Sequence, residues 1–219
     1  MPAMDAAWIS QLAGKFLVFE GPDGAGKTTQ WRRFRDLVRE NGVEVCEVRE
    51  PGGTHIGEKI RDLLLDVAND EMVVRCEMLL YMASRAQLVS ERIRPAMDRG
   101  ELVLADRFIS STLAYQGTAG GMSMEDIRSV ARIAVGSEWP DKVVVFDVDA
   151  QTAAHRVNPL LDRVEAKGSE YHSRVRDGYL KQVNDDPEGH ILIDATADTA
   201  VVFERVCDSV ARWLEGVES

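Results

Sequence analysis

The sequence predicts an α/β fold, with five parallel strands in one sheet, helices on both faces and a short lid. Three observations predict it. Apolar runs of strand length alternate with stretches of helical periodicity along the whole chain. The apolar run Phe16–Phe19 leads into Gly21-Pro-Asp-Gly-Ala-Gly26-Lys27-Thr28, a full match to G-x-x-x-x-G-K-[ST], at the start of a helical pattern. Leu102–Ala105 is continuously apolar, as in a strand buried on both faces.

The elements follow in order. Residues 1–13 read as a leader; the stretch has no basic region and carries Asp5, unlike a signal peptide. One helical turn there packs Trp8 and Ile9. Phe16–Phe19 is the first strand. The phosphate-binding loop (P-loop) follows, and each of its residue types has a physical reason. Glycines let several backbone N–H groups point at one anion. The helix start adds its positive dipole end. Lys27 supplies charge to β- and γ-phosphates, and Thr28 a hydroxyl for Mg²⁺. Gly21, Pro22, Asp23, Gly24, Ala25, Gly26, Lys27, Thr28 and Thr29 are therefore the expected nucleotide-binding segment.

Thr29–Asn41 reads as a helix, with Trp31, Phe34, Leu37 and Val38 at helical spacing and Asn41-Gly42 as its stop. Val43, Val45 and Val48 give the second strand; Arg49–Gly57 is too rich in Gly and Pro to be regular. A short helix (Glu58–Val67) precedes a long one, Glu71–Arg99, interrupted at Pro95. Leu102–Ala105 delivers Asp106 and Arg107 to its carboxyl end. Ile109–Met122, rich in Ser, Thr and Gly, reads as a loop, and Glu125–Val135 as a helix capped by Ser123. Val143–Val148 is the fourth strand. Helices near Ala150–Val157 and Glu165–Val183 flank the short stretch Asn158–Arg163, within a lid of about residues 156–164. Ile191–Ile193 is the fifth strand and Thr199–Leu214 the last helix. No linker or repeat interrupts the series, so residues 1–219 are expected to form one domain.

A net charge of −11 argues against a nucleic-acid surface. Cys46, Cys76 and Cys207 form no C-x-x-C pair and suit a reducing compartment, which points to the cytoplasm. No apolar run approaches the roughly 20 residues of a membrane span. Ligands of parallel sheets sit at strand carboxyl ends. The P-loop, Arg49, Asp106 and Arg107 all fall there, and Arg85 on the long helix faces the same cleft. Arginine's planar fork suits phosphate oxygens and flat ring edges. A P-loop holds one nucleotide, so further arginines imply a second anionic substrate, and transfer to an acceptor instead of water. A surface salt bridge is the alternative for each arginine alone.

Five segments in order resemble the thymidylate kinases: FEGPDGAGKTTQ, REPGGTHIGEKIRDLLL, LLYMASRAQL, ADRFISSTLAYQG and LDRVEAKGSEYHSRVRDGYL. The resemblance runs from about Gly14 to Leu214. It implies the reaction ATP + dTMP → ADP + dTDP with Mg²⁺, a step toward dTTP, in a homodimer formed through helices on one face. It also implies roles for individual residues. Asp23 would address the deoxyribose 3′-hydroxyl, with a helix-dipole carboxylate as the plainer alternative. Arg49 and Arg107 would grip the dTMP phosphate, and Arg85 would hydrogen-bond the thymine. Tyr81 stands where the family has Phe stacked on the base. Ser111, Thr112, Tyr115 and Gln116 would contact the base and close over the sugar. Asp106, with Thr28, would hold Mg²⁺ or its waters, or else Asp106 would orient Arg107.

Two departures from the family pattern stand out. The variable P-loop positions carry no basic residue, so the lid must supply the transition-state charge. Yet the lid, HRVNPLLDR, is sparse in arginine: Arg156 is the candidate that bridges donor and acceptor phosphates, Asn158 stands where a second arginine is common, and Arg163 is the reserve candidate or pairs with Asp162 or Glu165. Lys27, Arg107, Arg156 and Asp23 are thus the expected catalytic set. The rivals are a kinase for another deoxynucleotide or a deoxynucleoside, and a P-loop switch protein without a small acceptor.

Overall fold

The structure is a computed structural model that describes residues 6–149, 152, 153, 156, 162–164 and 167–216. At its centre lies β1 (Phe16–Glu20), whose five residues are all buried. Phe16 and Val18 face one side of the sheet, and Leu17 and Phe19 the other, as the two-residue period of a strand requires. Both sides are therefore cored. The sheet also contains β2 (Val45–Arg49), β3 (Leu102–Asp106), β4 (Lys142–Asp147) and β5 (His190–Asp194). The spatial order is β2-β3-β1-β4-β5, with all four pairings parallel. The chain leaves β1 for β2 at one edge, returns to β3, then crosses to β4 on the other side. The switch point of the winding thus lies beside β1, where a ligand crevice is expected.

Helices α1 (Lys27–Glu40) and α8 (Thr199–Leu214) cover one face of the sheet. A 3₁₀ helix, Ala6–Leu12, seals that face. It is no loose leader: Trp8, Ile9 and Leu12 are core residues, and Trp8 stacks on Phe34 of α1 at 6.2 Å. The other face carries α3 (Val74–Leu88), α6 (Met124–Val135) and α7 (Ser169–Asp185). Helix α2 (His55–Leu65) packs on α3. Its start lies three residues ahead of the expected one, because the Thr54 hydroxyl accepts from Gly57 N–H at 3.0 Å and caps it.

The long helix expected over Glu71–Arg99 begins only at Val74 and changes form before Pro95. Val89–Ile93 is a π-turn in which Arg94 N–H reaches the Val89 carbonyl, followed by the short α4 (Arg94–Asp98). Proline has no N–H for the carbonyl four residues back and its ring crowds that turn; widening the preceding turn accommodates it. Ile109–Met122 departs further from expectation. Ile109–Thr112 is α5, a single helical turn, and Leu113–Ala119 continues as π-helix. Polar composition suggests a loop, but Leu113, Ala114 and Ala119 are buried against α7, and that cover holds the segment helical. Ser123 caps α6 as expected. Of the helix expected near residues 150–157, Thr152, Ala153 and Arg156 are helical; the rest, with Asn158, lies outside the described residues. So does Glu165, and α7 starts at Ser169.

Candidate active site

The P-loop leaves β1 with Gly21 at φ 134°, a conformation open to glycine, and a Cβ there would stand 2.4 Å from the Phe146 carbonyl of β4. Gly26, in the left-handed region at φ 79°, occupies the cap position of α1 without any side-chain cap. The first N–H groups of α1 are therefore left for a ligand. Lys27 is nearly buried, and its Nζ donates to the Pro22 carbonyl at 2.8 Å, which curls the side chain back over the loop. Thr28 Oγ1 lies 3.4 Å from Asp106 Oδ2 at the end of β3. These groups floor a cleft of about 540 Å³, walled on the far side by Arg156 and the segment Ala195–Thr199.

A second cleft, of about 290 Å³, opens on the other side of the same loop. Asp23 and Thr28 line both clefts. Arg107, the only described residue other than glycine with a positive φ (71°), is turned into this junction by its strained backbone. Its guanidinium donates to the Gly21 carbonyl, Ser111 Oγ and Tyr179 Oη, each at 3.1 Å, and pairs with Asp23. Tyr115 Oη donates to the other Asp23 oxygen at 2.8 Å. Burial pushes the Asp23 carboxyl up, but Arg107, Lys27 and the Tyr115 hydroxyl outweigh it and hold it at about 2. Asp23 is therefore a carboxylate fixed between the clefts.

Arg49, Tyr81, Ser111, Thr112, Tyr115 and Gln116 all line the second cleft, as does Asp106. Arg85 does not. It is fully buried behind the wall, bonded to Glu50 at 2.8 and 3.0 Å, the Phe108 carbonyl at 2.9 Å and Thr112 Oγ1 at 3.2 Å. Arg156 belongs to the first cleft and donates to the Ala195 carbonyl at 3.0 Å. Arg163 donates to the Leu64 carbonyl at 2.8 Å and pairs with Glu77 at 2.6 Å, and Glu165, one of its expected partners, lies outside the described residues.

Two residues escaped the sequence reading. Arg61 adds another guanidinium to the second cleft, donating to the Pro51 carbonyl at 3.0 Å. Glu20, fully buried, accepts from Phe108 N–H at 2.7 Å, Ser111 Oγ at 2.6 Å and Tyr179 Oη at 3.0 Å. It ties the end of β1 to the turn after β3. A charged residue closing an otherwise apolar strand was the available signal for Glu20; for Arg61 it was a basic residue inside an amphipathic helix.

A P-loop between two clefts, one basic at its mouth and one reaching the last strand, defines a P-loop kinase of small phosphorylated substrates. The thymidylate kinase family model matches residues 19–206. Thymidylate kinase from Caldanaerobacter subterraneus subsp. tengcongensis is 43% identical over 94% of this chain and 100% of its own. That from Finegoldia magna is 44% identical over 90% and 98%. The crystal structure of thymidylate kinase from Ehrlichia chaffeensis superposes with a TM-score of 0.74 at 30% identity, covering 89% of this chain and 96% of that one. The chain belongs to the thymidylate kinase family and is an ATP-dependent kinase.

Proposed function

We propose that the chain moves the γ-phosphoryl group of ATP onto dTMP, giving ADP and dTDP, across the junction of the two clefts. The shared floor carries this reading: Asp23 and Thr28 line both cavities, so groups bound on the two sides meet over the P-loop. The cleft bounded by α1 and Ala195–Thr199 takes ATP. P-loop N–H groups and Lys27 hold its phosphates. The second cleft takes dTMP, with its phosphate on Arg49 and Arg107 and its base against Tyr81 and Gln116.

Phosphoryl transfer asks mainly for positioning and charge neutralisation. Arg107 is immobilised by its four partners and so offers its charge at a fixed place. Asp23, held ionised, orients Arg107 and Tyr115 and stands beside the acceptor sugar. Arg156, which walls the donor cleft, closes over the donor and excludes water, which suppresses ATP hydrolysis. The Thr28 hydroxyl and the Asp106 carboxylate, 3.4 Å apart, are hard oxygen donors that fit Mg²⁺. Among the described residues no group of three or more His, Cys, Asp or Glu side chains could hold a metal alone, so the nucleotide would complete its shell. Mg²⁺ supplies neutralisation of the phosphate charge when bound.

Residues 1–219 act as one catalytic domain in this reading. The exposed apolar side chains Leu63, Val67, Val73, Leu79 and Ile133, on and between the neighbouring α2, α3 and α6, form the face of a homodimer. No helix among the described residues is long and apolar enough to cross a membrane. Three free thiols suit the cytoplasm, and the net charge of −11 leaves nucleic acid out as a partner.

The test is ADP release with ATP, Mg²⁺ and a panel of nucleoside monophosphates. Release that depends on dTMP, well ahead of dUMP and dCMP, is expected. Preference for another monophosphate would reassign the acceptor, and preference for thymidine would remove the roles of Arg49 and Arg107. Lys27→Ala should lose at least about a hundredfold in kcat. Near-normal turnover by that variant would sink the P-loop assignment.

A further inference from the structure

Glu77, the one carboxylate on α3, is buried and lines neither cleft, and the reaction above makes no use of it. Its Oε1 accepts from Gln116 Nε2 at 2.7 Å and Lys167 Nζ at 3.2 Å. Its Oε2 accepts from Arg163 at 2.6 Å and Lys167 at 3.0 Å. Burial pushes its carboxyl up, but Lys167, Gln116 and Arg163 together hold it below the usual range. It is thus ionised, and an ionised carboxylate only accepts. The amide of Gln116 therefore has one allowed orientation. Its nitrogen must face Glu77, and its Oε1, which accepts from none of the described residues, opens on the acceptor cleft.

We propose that Glu77 is a positioning residue that fixes the polarity of the Gln116 amide, so that the acceptor cleft selects a pyrimidine with a ring N–H over one with a bare ring nitrogen. The inference rests on the acceptor reading above. Thymine and uracil carry the N–H at the ring position between their carbonyls; cytosine carries a lone pair there. An outward amide oxygen bonds the first and repels the second. Arg163, at the end of the lid, and Lys167, just after it, hold the same carboxylate. They fix its two oxygens in place, and the lid segment is thereby tied to the group that reads the base.

The geometry makes an unusual prediction for Glu77→Gln. The new side chain has one oxygen, and the stronger claim on it is that of the charged Arg163. Its NH₂ then occupies the place of Oε1 and faces Gln116. Gln116 must turn its oxygen inward to accept, which presents its NH₂ to the cleft. The ratio of kcat/KM for dTMP to that for dCMP should therefore fall at least about tenfold, with KM for ATP unchanged. A loosened fold would weaken both acceptors alike and leave the ratio alone. In a Gln116→Leu background, Glu77→Gln should no longer move the ratio. Wild-type protein labelled with ¹⁵N provides a second readout that does not require the variant to fold. The Gln116 side-chain amide, assigned by its loss in Gln116→Leu, should exchange its protons slowly, as a buried amide bonded to a carboxylate does. An active wild type with an unchanged ratio in Glu77→Gln, or a freely exchanging Gln116 amide, overturns this proposal alone. A wild type without dTMP-dependent ADP release overturns the acceptor reading and this proposal with it.

Discussion

Lys27 shows what a buried charge costs and how a substrate recovers it. Burial first, and the neighbouring Arg107 second, push its ammonium down to about 8. Polyphosphate selects the charged form. Binding of ATP above that pH must therefore place a proton on Lys27, and affinity must fall as pH rises through about 8. Calorimetric titration near pH 8.5 in two buffers of different ionisation heat should show net proton uptake. No uptake would mean that Lys27 is already charged in the free protein. Arg85 shows where residue-scale legibility stops. Its place in LLYMASRAQL suggested a base contact, but its guanidinium is committed to Glu50, Thr112 and the Phe108 carbonyl. Burial pushes Glu50 up to about 7 even against Arg85, so the pair that backs the cleft wall tolerates no missing partner. Partners 35 and 27 residues away are set by topology, and no local pattern announces them.

Among the elements, the α5 and π-helical segment places the most side chains in the second cleft on the weakest local signal. Ser111, Thr112, Tyr115 and Gln116 lie on it, and its Ser, Thr and Gly content reads as a loop. Helix α7 makes it otherwise. The Tyr171 hydroxyl donates to the Tyr115 carbonyl at 2.8 Å, and Gln182 donates to the Ser110 carbonyl at 3.1 Å. The two helices approach closely at Gly178, where a Cβ would stand 2.8 Å from Thr118 Oγ1 and 3.0 Å from the Ala114 backbone. Gly178→Ala should therefore destabilise the fold by about 1–3 kcal/mol, although alanine favours helices, and should raise KM for dTMP. Urea titration and steady-state kinetics check the two effects. A more stable variant would show that the segment can shift away. Elements with a strong period were legible. The five strands and the last helix, Thr199–Leu214, stand close to where the sequence put them, because short apolar runs and helical periodicity are local signals. The π-turn before Pro95 was legible only as an interruption, since proline forbids the regular bond without stating which irregular turn replaces it.

For the whole molecule, the sheet order brings residues from β1, β2 and β3 to one edge, and the alternation of strand and helix was enough to expect that convergence. The exposed apolar face was not legible, because an interface stripe and a core stripe have the same period. Ile133 is 85% exposed, so Ile133→Asp should leave the fold of one subunit intact. With Leu79→Asp it should convert a dimer to a monomer in sedimentation velocity at micromolar concentration. A wild-type monomer would remove the interface, and an undisturbed dimer in both variants would place it elsewhere.

Asp23 and Thr28 face both cavities, so ligands bound as proposed in the two would be thermodynamically coupled. Whatever ATP does to the field at those side chains changes the affinity for the acceptor, and the acceptor must return the same factor. The shared floor also sets a chemical distance. One molecule carrying an adenosine and a thymidine joined by a run of phosphates could fill both cavities over the P-loop, and would surrender its translational freedom once where two substrates surrender it separately.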